Sequence, residues 1–424
     1  MKVLQVNAVN AILSTGRSVS ELGRGLERRG IASRVVYSVG PPPENGHRIG
    51  NPLDHKLHAL SSRLTGKQGY FSRGATRRLL HYVDAETPDI VHLRNLHANY
   101  INLPMFLEFL AERDIATVIT LDDCWWFTGH CSHYTMDGCH RWLDGCGQCP
   151  RLKKDNPSWL LDRTRTMWAD KRRLLARIPR LAVIGVSDWI TGEAERSFLS
   201  NASIIRRIYN WVDLDVLQPV PIQEARRRTG LPSDAKIALG VASEWTDDKG
   251  LSDFSQLAER MSCAVGNGKS SSTGAAPAGH LSVVLVGKIT GRAATSEHVS
   301  LVGVTHDLEQ LADYYSAADV FLQLSPEETF GKVTAEALAC GTPAVVYDST
   351  ANPELVGPGC GYVAAPRNLS EVMQFIETVV SDGKNSYTEH CRRFAQMHFD
   401  KETLIDEHVS LYQELLAVDQ GLTR

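Results

Sequence analysis

A chain of 424 residues exceeds one ordinary domain and suits two domains of the doubly wound size. The 45 Lys and Arg against 49 Asp and Glu leave a net charge of −4, and 43% of residues are hydrophobic. That balance fits a soluble globular enzyme and excludes a polyanion-binding protein, so no nucleic-acid partner is expected.

The N-terminal stretch MKVLQVNAVNAILSTG has no small-residue cleavage site after an apolar core and reads as a first strand rather than a signal peptide. No apolar run reaches membrane-spanning length. A cytoplasmic protein is therefore expected, its nine cysteines serving as thiols or metal ligands instead of disulfides.

Short apolar runs then alternate with helical patterns along the chain. KVLQVN, ASRVVYSV, DIVHLR, ATVITLD and RLAVIGVS are the strands of the first half; KIALGVAS, LSVVLVG, DVFLQLS and PAVVYD repeat the rhythm in the second. TAEALAC and DLEQLADYYSAA read as helices between strands. The fold class is α/β, two Rossmann-like parallel-sheet units in tandem.

The expected division is an N-terminal unit over 1–208, a hinge over 209–221, a second unit over 222–395 and a C-terminal helix over 396–424. The hinge falls where the Asn-Trp-Val-Asp turn and two prolines break periodicity. The segment from Val265 to His280, rich in Gly, Ser and Ala, reads as a surface loop with no core of its own. Leu404, Val409, Tyr412, Leu415 and Leu416 form the expected packing face of the last helix. RGATRRLLHY and DKRRLLARIPR combine basic and apolar residues at helical spacing; they read as solvated helix faces, with peripheral contact at the inner face of a membrane as the alternative.

An insert over 124–150 holds Cys124, Cys131, Cys139, Cys146 and Cys149 within 26 residues. Cys131, Cys139, Cys146 and Cys149 would suffice for a structural zinc, although their spacing matches no ordinary zinc ribbon. The competing reading is a reduced thiol cluster among Trp125, Trp126, Phe127 and Trp142.

The stretch SPEETFGKVTAEALACGTPAVV, Ser325 to Val346, carries Glu328 in a loop after a strand and Glu336 inside a helix. Ligands of open α/β sheets collect beyond the carboxyl ends of strands, which places this loop where chemistry is expected. Gly331 lets backbone approach a ligand, and the free N–H groups of the helix start suit a diphosphate. Glu336 could accept two hydrogen bonds from a ribose diol. A surface Lys332–Glu336 pair with a solvated Glu328 is the plainer alternative.

SPEETFGKVTAEALACGTPAVVYD resembles the Glu, seven residues, Glu signature of retaining GT-B glycosyltransferases of family 4, which includes sucrose synthases and many polysaccharide-assembly enzymes. STGRSVSELGRGLERRG, SDWI, IYNWVDLDVLQP and VASEWTDDKGL resemble further landmarks of that family in the same order. The resemblance implies a GT-B fold, two Rossmann-like domains facing a central cleft. It implies transfer of a hexosyl group from a UDP- or GDP-sugar to a saccharide or lipid-linked saccharide. Glu336 would hold the ribose, Glu328 the donor hydroxyls, and the backbone around Phe330, Gly331, Lys332 and Val333 the phosphate and sugar. Lys249 would neutralise the leaving diphosphate, and Gly16, in the loop after the first strand, would pass close to it.

No cofactor is required for catalysis on this reading, and the acidic pairs Asp122–Asp123 and Asp247–Asp248 are loop or cap acids. A subgroup of the bacterial polysaccharide enzymes carries a similar Trp- and Cys-rich insert, which would shape the acceptor face. Two departures stand out. Glu244 occupies the place of an arginine that partners the lysine in many relatives, leaving Arg292 or Arg17 to supply the second charge. Asp122 stands where a histidine is usual, so Asp122 joins the catalytic candidates, with His97 and His130 as substitutes. A GT-B epimerase and a nucleotide-sugar binder without turnover are the competing functions.

Overall fold

The computed structural model describes residues 1–266, 281–289, 296 and 298–418. It forms two compact units, Met1–Tyr209 with Glu402–Arg424, and Asn210–Lys401.

The first unit is built on a parallel sheet of seven strands: β1 Lys2–Val6, β2 Ala32–Tyr37, β3 Gly46–Arg48, β4 Ile90–Leu93, β5 Ala116–Leu121, β6 Leu181–Gly185 and β7 Ile204–Arg207. Their order across the sheet is β3-β2-β1-β4-β5-β6-β7. Helices cover both faces of such a sheet, so central strands are shielded from water, and β4, β5 and β6 are buried at every position. The second unit has six parallel strands: β8 Lys236–Trp245, β9 Leu281–Ile289, β10 Val299–Val302, β11 Val320–Gln323, β12 Ala344–Tyr347 and β13 Gly361–Ala364, ordered β10-β9-β8-β11-β12-β13.

A paired polar cluster lies inside the first unit. His92 on β4 shares hydrogen bonds with Tyr412 Oη and Thr120 Oγ1, each 2.7 Å. Tyr412 belongs to the last helix, Lys401–Ala417, which packs in this unit through Leu404, Ile405, His408, Leu411, Tyr412 and Leu415. Val409 and Leu416, expected on that face, are only half-buried; the true stripe is rotated toward Ile405 and His408. Gly25 permits the close approach, since a Cβ there would stand 2.4 Å from Ile405 Cδ1. Residues 396–399 belong to the preceding helix, Asn385–Phe399, in the second unit.

In the second unit a β-bulge between Val241 and Glu244 bends the carboxyl end of β8. Gly287 on β9 faces it with φ +130°, where a Cβ would overlap the Ala242 carbonyl oxygen. Of the segment 265–280, Val265 and Gly266 end the helix Leu251–Gly266, and 267–280 lie outside the described residues.

The two basic stretches do not present apolar faces to a membrane. The helix Arg73–Glu86 buries Ala75, Leu79 and Val83, and Thr164–Leu175 buries Met167, Trp168, Leu174 and Leu175, so these side chains belong to the core. Among the described residues no helix is long and apolar enough to cross a membrane.

Candidate functional site

At the carboxyl end of β11 the chain enters the loop Leu324–Gly331. Gly250, at φ +79°, abuts this loop so closely that a Cβ would stand 2.3 Å from the Leu324 carbonyl oxygen. Ser325 Oγ donates to the Asp248 carbonyl at 2.8 Å, and Asn352 Nδ2 donates to the Ser325 carbonyl at 3.0 Å. Glu328 N–H donates to Thr350 Oγ1 at 2.9 Å. These contacts fix two segments far apart in sequence. Their result is an ion pair, Lys249 Nζ to Glu328 Oε1 at 2.5 Å, partly open to solvent with the lysine 40% exposed. Lys249 and Glu328, picked out separately in the sequence, thus form one unit.

Gly331 follows at φ +84° and opens the helix Lys332–Ala339 without any side-chain cap. A helix start of that kind leaves N–H groups able to bind an anion. Lys332 and Val333 in its first turn are half-buried. Phe330 is buried edge-on against Phe399, ring centroids 5.6 Å apart, so it offers backbone rather than side chain to a ligand.

Glu336 is 5% exposed, and Tyr315 Oη donates to its Oε2 at 2.9 Å. A solvated surface pair with Lys332 does not describe this buried carboxylate. Burial first, and then the Glu336 charge, push the Tyr315 phenol well above its ordinary range, so it remains a donor. Glu244 lies beyond the bulge with Lys288 as its register neighbour on β9. Arg292 lies outside the described residues.

In the first unit Gly16 is in the opening turn of the helix Leu13–Arg28, not in a loop as expected. It is buried, and a Cβ would press within 3.2 Å of Ala11 N and the Val9 carbonyl carbon. Its missing side chain serves the turn that joins β1 to the helix.

Asp122, directly after β5, is gripped by Arg94, directly after β4: Nη2 to Oδ1 2.7 Å and Nε to Oδ2 3.0 Å. Both side chains are buried. A carboxylate held in this fork is a structural partner of Arg94, which departs from the expectation of a group directed at substrate. Its neighbour Asp123 pairs with His97, Nε2 to Oδ2 2.9 Å, and caps Trp125 N–H at 2.8 Å. Burial opposes ionisation of Asp123, but His97 and these hydrogen bonds outweigh it and hold the carboxyl below its ordinary range. His97 is the more accessible of the two proposed substitutes; His130 is buried, and burial lowers its pKa. The His97–Asp123 pair joins loops after neighbouring strands, which spacing alone does not reveal.

Cys131, Cys139, Cys146 and Cys149 line one small cavity with Tyr134 and Trp142. All four are free thiols. Gly129 N–H donates to Cys146 Sγ at 3.1 Å, and burial pushes that thiol up to about 12. A hydrogen bond with Cys131 holds Cys149 below its ordinary value. Among the described residues no group of three or more His, Cys, Asp or Glu is placed to hold a metal ion.

Two family models match the chain: Glycosyltransferase Family 4 over residues 15–216 and Glycosyl transferases group 1 over residues 285–397. A relative from Escherichia coli (strain K12), the putative colanic acid biosynthesis glycosyl transferase WcaC, is 23% identical over 98% of this chain and 100% of its own length. Among solved structures, sucrose-phosphate synthase from Thermosynechococcus elongatus aligns at TM-score 0.67 and 17% identity, over 98% of this chain and 99% of that one. HepE from Anabaena, solved in complex with UDP-glucose, aligns at TM-score 0.62 and 16% identity, over 97% and 99%. With each half matched by a glycosyltransferase family and two parallel-sheet units on the same plan as these enzymes, the chain belongs to the GT-B glycosyltransferases of family 4 type.

Proposed function

We propose that the protein is a retaining hexosyltransferase, moving a sugar from a UDP or GDP donor to a saccharide or lipid-linked saccharide acceptor in glycan assembly. The observation that carries this reading is the Lys249–Glu328 pair beside the uncapped helix start at Gly331. A cation, a carboxylate and free amide donors together match the three parts of a nucleotide-sugar's reacting end. The UDP-glucose complex of HepE and the WcaC relationship support the donor class and the pathway type.

In this scheme the donor diphosphate lies over the helix start and draws the Lys249 ammonium toward it. Negative charge grows on the diphosphate as the glycosidic bond breaks, so the lysine stabilises the transition state more than the ground state. Glu328, released from the pair, accepts hydrogen bonds from donor hydroxyls. Glu336, oriented by Tyr315, accepts from the ribose. The acceptor hydroxyl attacks the anomeric carbon on the face the diphosphate is leaving, and a departing phosphate oxygen takes its proton. Configuration is retained without a protein nucleophile.

A thermal-shift panel of UDP, GDP, ADP and their common sugars tests the donor class, because a ligand of the folded state raises Tm. The expected result is a concentration-dependent rise with one nucleotide and its sugar. Absence of any rise across the panel would overturn the reading. The anomeric configuration of the product by NMR then tests retention.

A further inference from the structure

A hollow of about 270 Å³ lies in the first unit between the helix Leu13–Arg28 and the segment that joins β2 to β3. It contains none of the side chains assigned above to the donor. Pro41, Pro42 and Pro43 form one wall, tied at both ends: Asn10 Nδ2 donates to the Pro41 carbonyl at 2.9 Å, and Val35 N–H donates to the Asn45 carbonyl at 3.1 Å. Proline fixes φ and brings no N–H group, so this wall is stiff and presents C–H surface. The helix contributes Ser20, Gly23, Arg24 and Glu27.

The polar groups here are incompletely paired. Asn10 lines the hollow and is 2% exposed; with its Nδ2 engaged by Pro41, its Oδ1 has no hydrogen-bond partner among the described residues. Gln5 on β1 is wholly buried, donates from Nε2 to the Val19 carbonyl at 3.1 Å and to Ser33 Oγ at 3.4 Å, and leaves its Oε1 stranded in the same way. A Cβ on Gly23 would stand 3.2 Å from that Ser33 Oγ and 3.4 Å from Gln5 Nε2. Buried acceptors are ordinarily satisfied, so two of them beside one hollow call for a donor from outside. The backbone is strained at the same place: Ala11, which also lines the hollow, has φ +57°, and Leu13 has φ +55°.

The mixture of groups selects the ligand. Glu27 and Glu44 outnumber Arg24 around the hollow, which disfavours an anion. An apolar molecule would leave Asn10 Oδ1 without a donor. A bare ammonium ion would leave the proline wall and the Arg24 guanidinium, which donates to Ser20 Oγ at 3.3 Å, unmatched. A neutral sugar ring suits every wall. Its hydroxyls donate to Asn10 Oδ1 and the carboxylates and accept from Arg24, while its C–H face lies on the prolines.

We propose that this hollow is a saccharide subsite, holding one neutral sugar residue of the acceptor glycan beyond the residue that reacts. Asn10 follows β1 and Pro41 follows β2, so the subsite opens at the carboxyl end of the first sheet, the side on which ligands of such sheets collect. Assigning the sugar to the acceptor rests on the transferase reading above; the binding of a sugar does not.

Saturation-transfer NMR on the full chain tests this, with the methyl glycosides of glucose, galactose and mannose, with maltose and with lactose, and with no nucleotide present. At least one of these sugars should receive saturation. Asn10→Ala deletes the stranded acceptor, and Ser20→Phe fills the hollow from a half-buried helix position; each should weaken sugar binding by about tenfold or more. Ser20→Phe should keep the wild-type response of Tm to nucleotides. No transfer to any of the five sugars, or transfer unchanged in both variants, would overturn the proposal. Sugar binding lost in Ser20→Phe with the KM of a longer acceptor unchanged would overturn its assignment to the acceptor. Because the NMR measurement involves no nucleotide, its failure is distinct from failure of the donor reading.

Discussion

Each sheet buries one arginine–aspartate pair, and the two pairs stand at opposite ends of their sheets. Arg94 and Asp122 follow β4 and β5, at the carboxyl end where ligands of such sheets collect. Arg226 and Asp319 meet at 2.7 Å where Asp319 precedes β11, at the amino end. The second pair is saturated by scaffold: Arg226 also donates to the Ala317 and Ser233 carbonyls, and Asp319 accepts from Ile237 N–H. Both are buried guanidinium–carboxylate pairs, the first made through two nitrogens and the second through one. Position decides whether the pair can also shape a site, so an aspartate that looks catalytic by sequence position can be doing the work of an anchor.

Removing one partner of a buried pair strands the other charge. Arg94→Met and Arg226→Met should each cost about 3–5 kcal/mol, read as a fall in Tm. Transfer per folded molecule separates them: it should fall for Arg94→Met and hold for Arg226→Met. Equal rates would make Asp122 pure scaffold. The second unit's own site gives the opposite pattern. Lys249→Ala and Glu328→Gln should lower kcat by about 10²- to 10³-fold, the scale of losing a group that stabilises transition-state charge. Their Tm should barely move, because a pair with the lysine 40% exposed contributes at most about 1 kcal/mol to folding.

The nine strands legible as apolar runs are all interior strands of their sheets. The four that escaped, β3, β7, β10 and β13, are the four edges. An edge strand is covered less and needs no continuous apolar run: β3 has no buried residue, β10 none, and β7 and β13 one each. The acidic signature and Lys249 were legible because loop and helix start are local. The contacts that join them, Gly250 against Leu324 and Ser325 against Asp248, bridge more than seventy residues and follow only from β8 and β11 being neighbours.

Acid sharpens the contrast between the units. Burial holds His58 and His408, both in the first unit, down to about 4, and His92 well below its ordinary value. The second unit's described histidines, His298, His306, His390 and His398, are not buried. Unfolded histidine takes its proton near 6.5, so between that pH and 4 the unfolded chain binds more protons than the folded one. The stability these groups confer is complete above pH 6.5 and lost as pH falls toward 4, on the order of 3 kcal/mol for each of His58 and His408. Hydrogen exchange read peptide by peptide should show the first unit losing protection before the second as pH drops. Simultaneous loss would mean that these histidines do not set acid stability.

Tyr315→Phe asks whether Glu336 belongs with Asp319 as scaffold or with Lys249 as ligand contact. The variant keeps the ring in place, edge-on to Phe321 at 5.7 Å between centroids, and deletes only the hydroxyl that donates to Glu336 Oε2. A hydrogen bond to a buried charge is worth about 1.5–3 kcal/mol, so some fall in Tm is expected whichever role the glutamate has. Nucleotide affinity carries the distinction. If Glu336 receives a ribose diol, losing its orienting partner should weaken the ribonucleotide by about tenfold, equivalent to about 1.4 kcal/mol, and the 2′-deoxynucleotide by much less. Wild-type preference for ribose would then shrink in the variant. An unchanged preference, with only Tm lowered, would move Glu336 into the scaffold beside Asp319 and leave Lys249, Glu328 and the helix start at Gly331 to hold the donor alone.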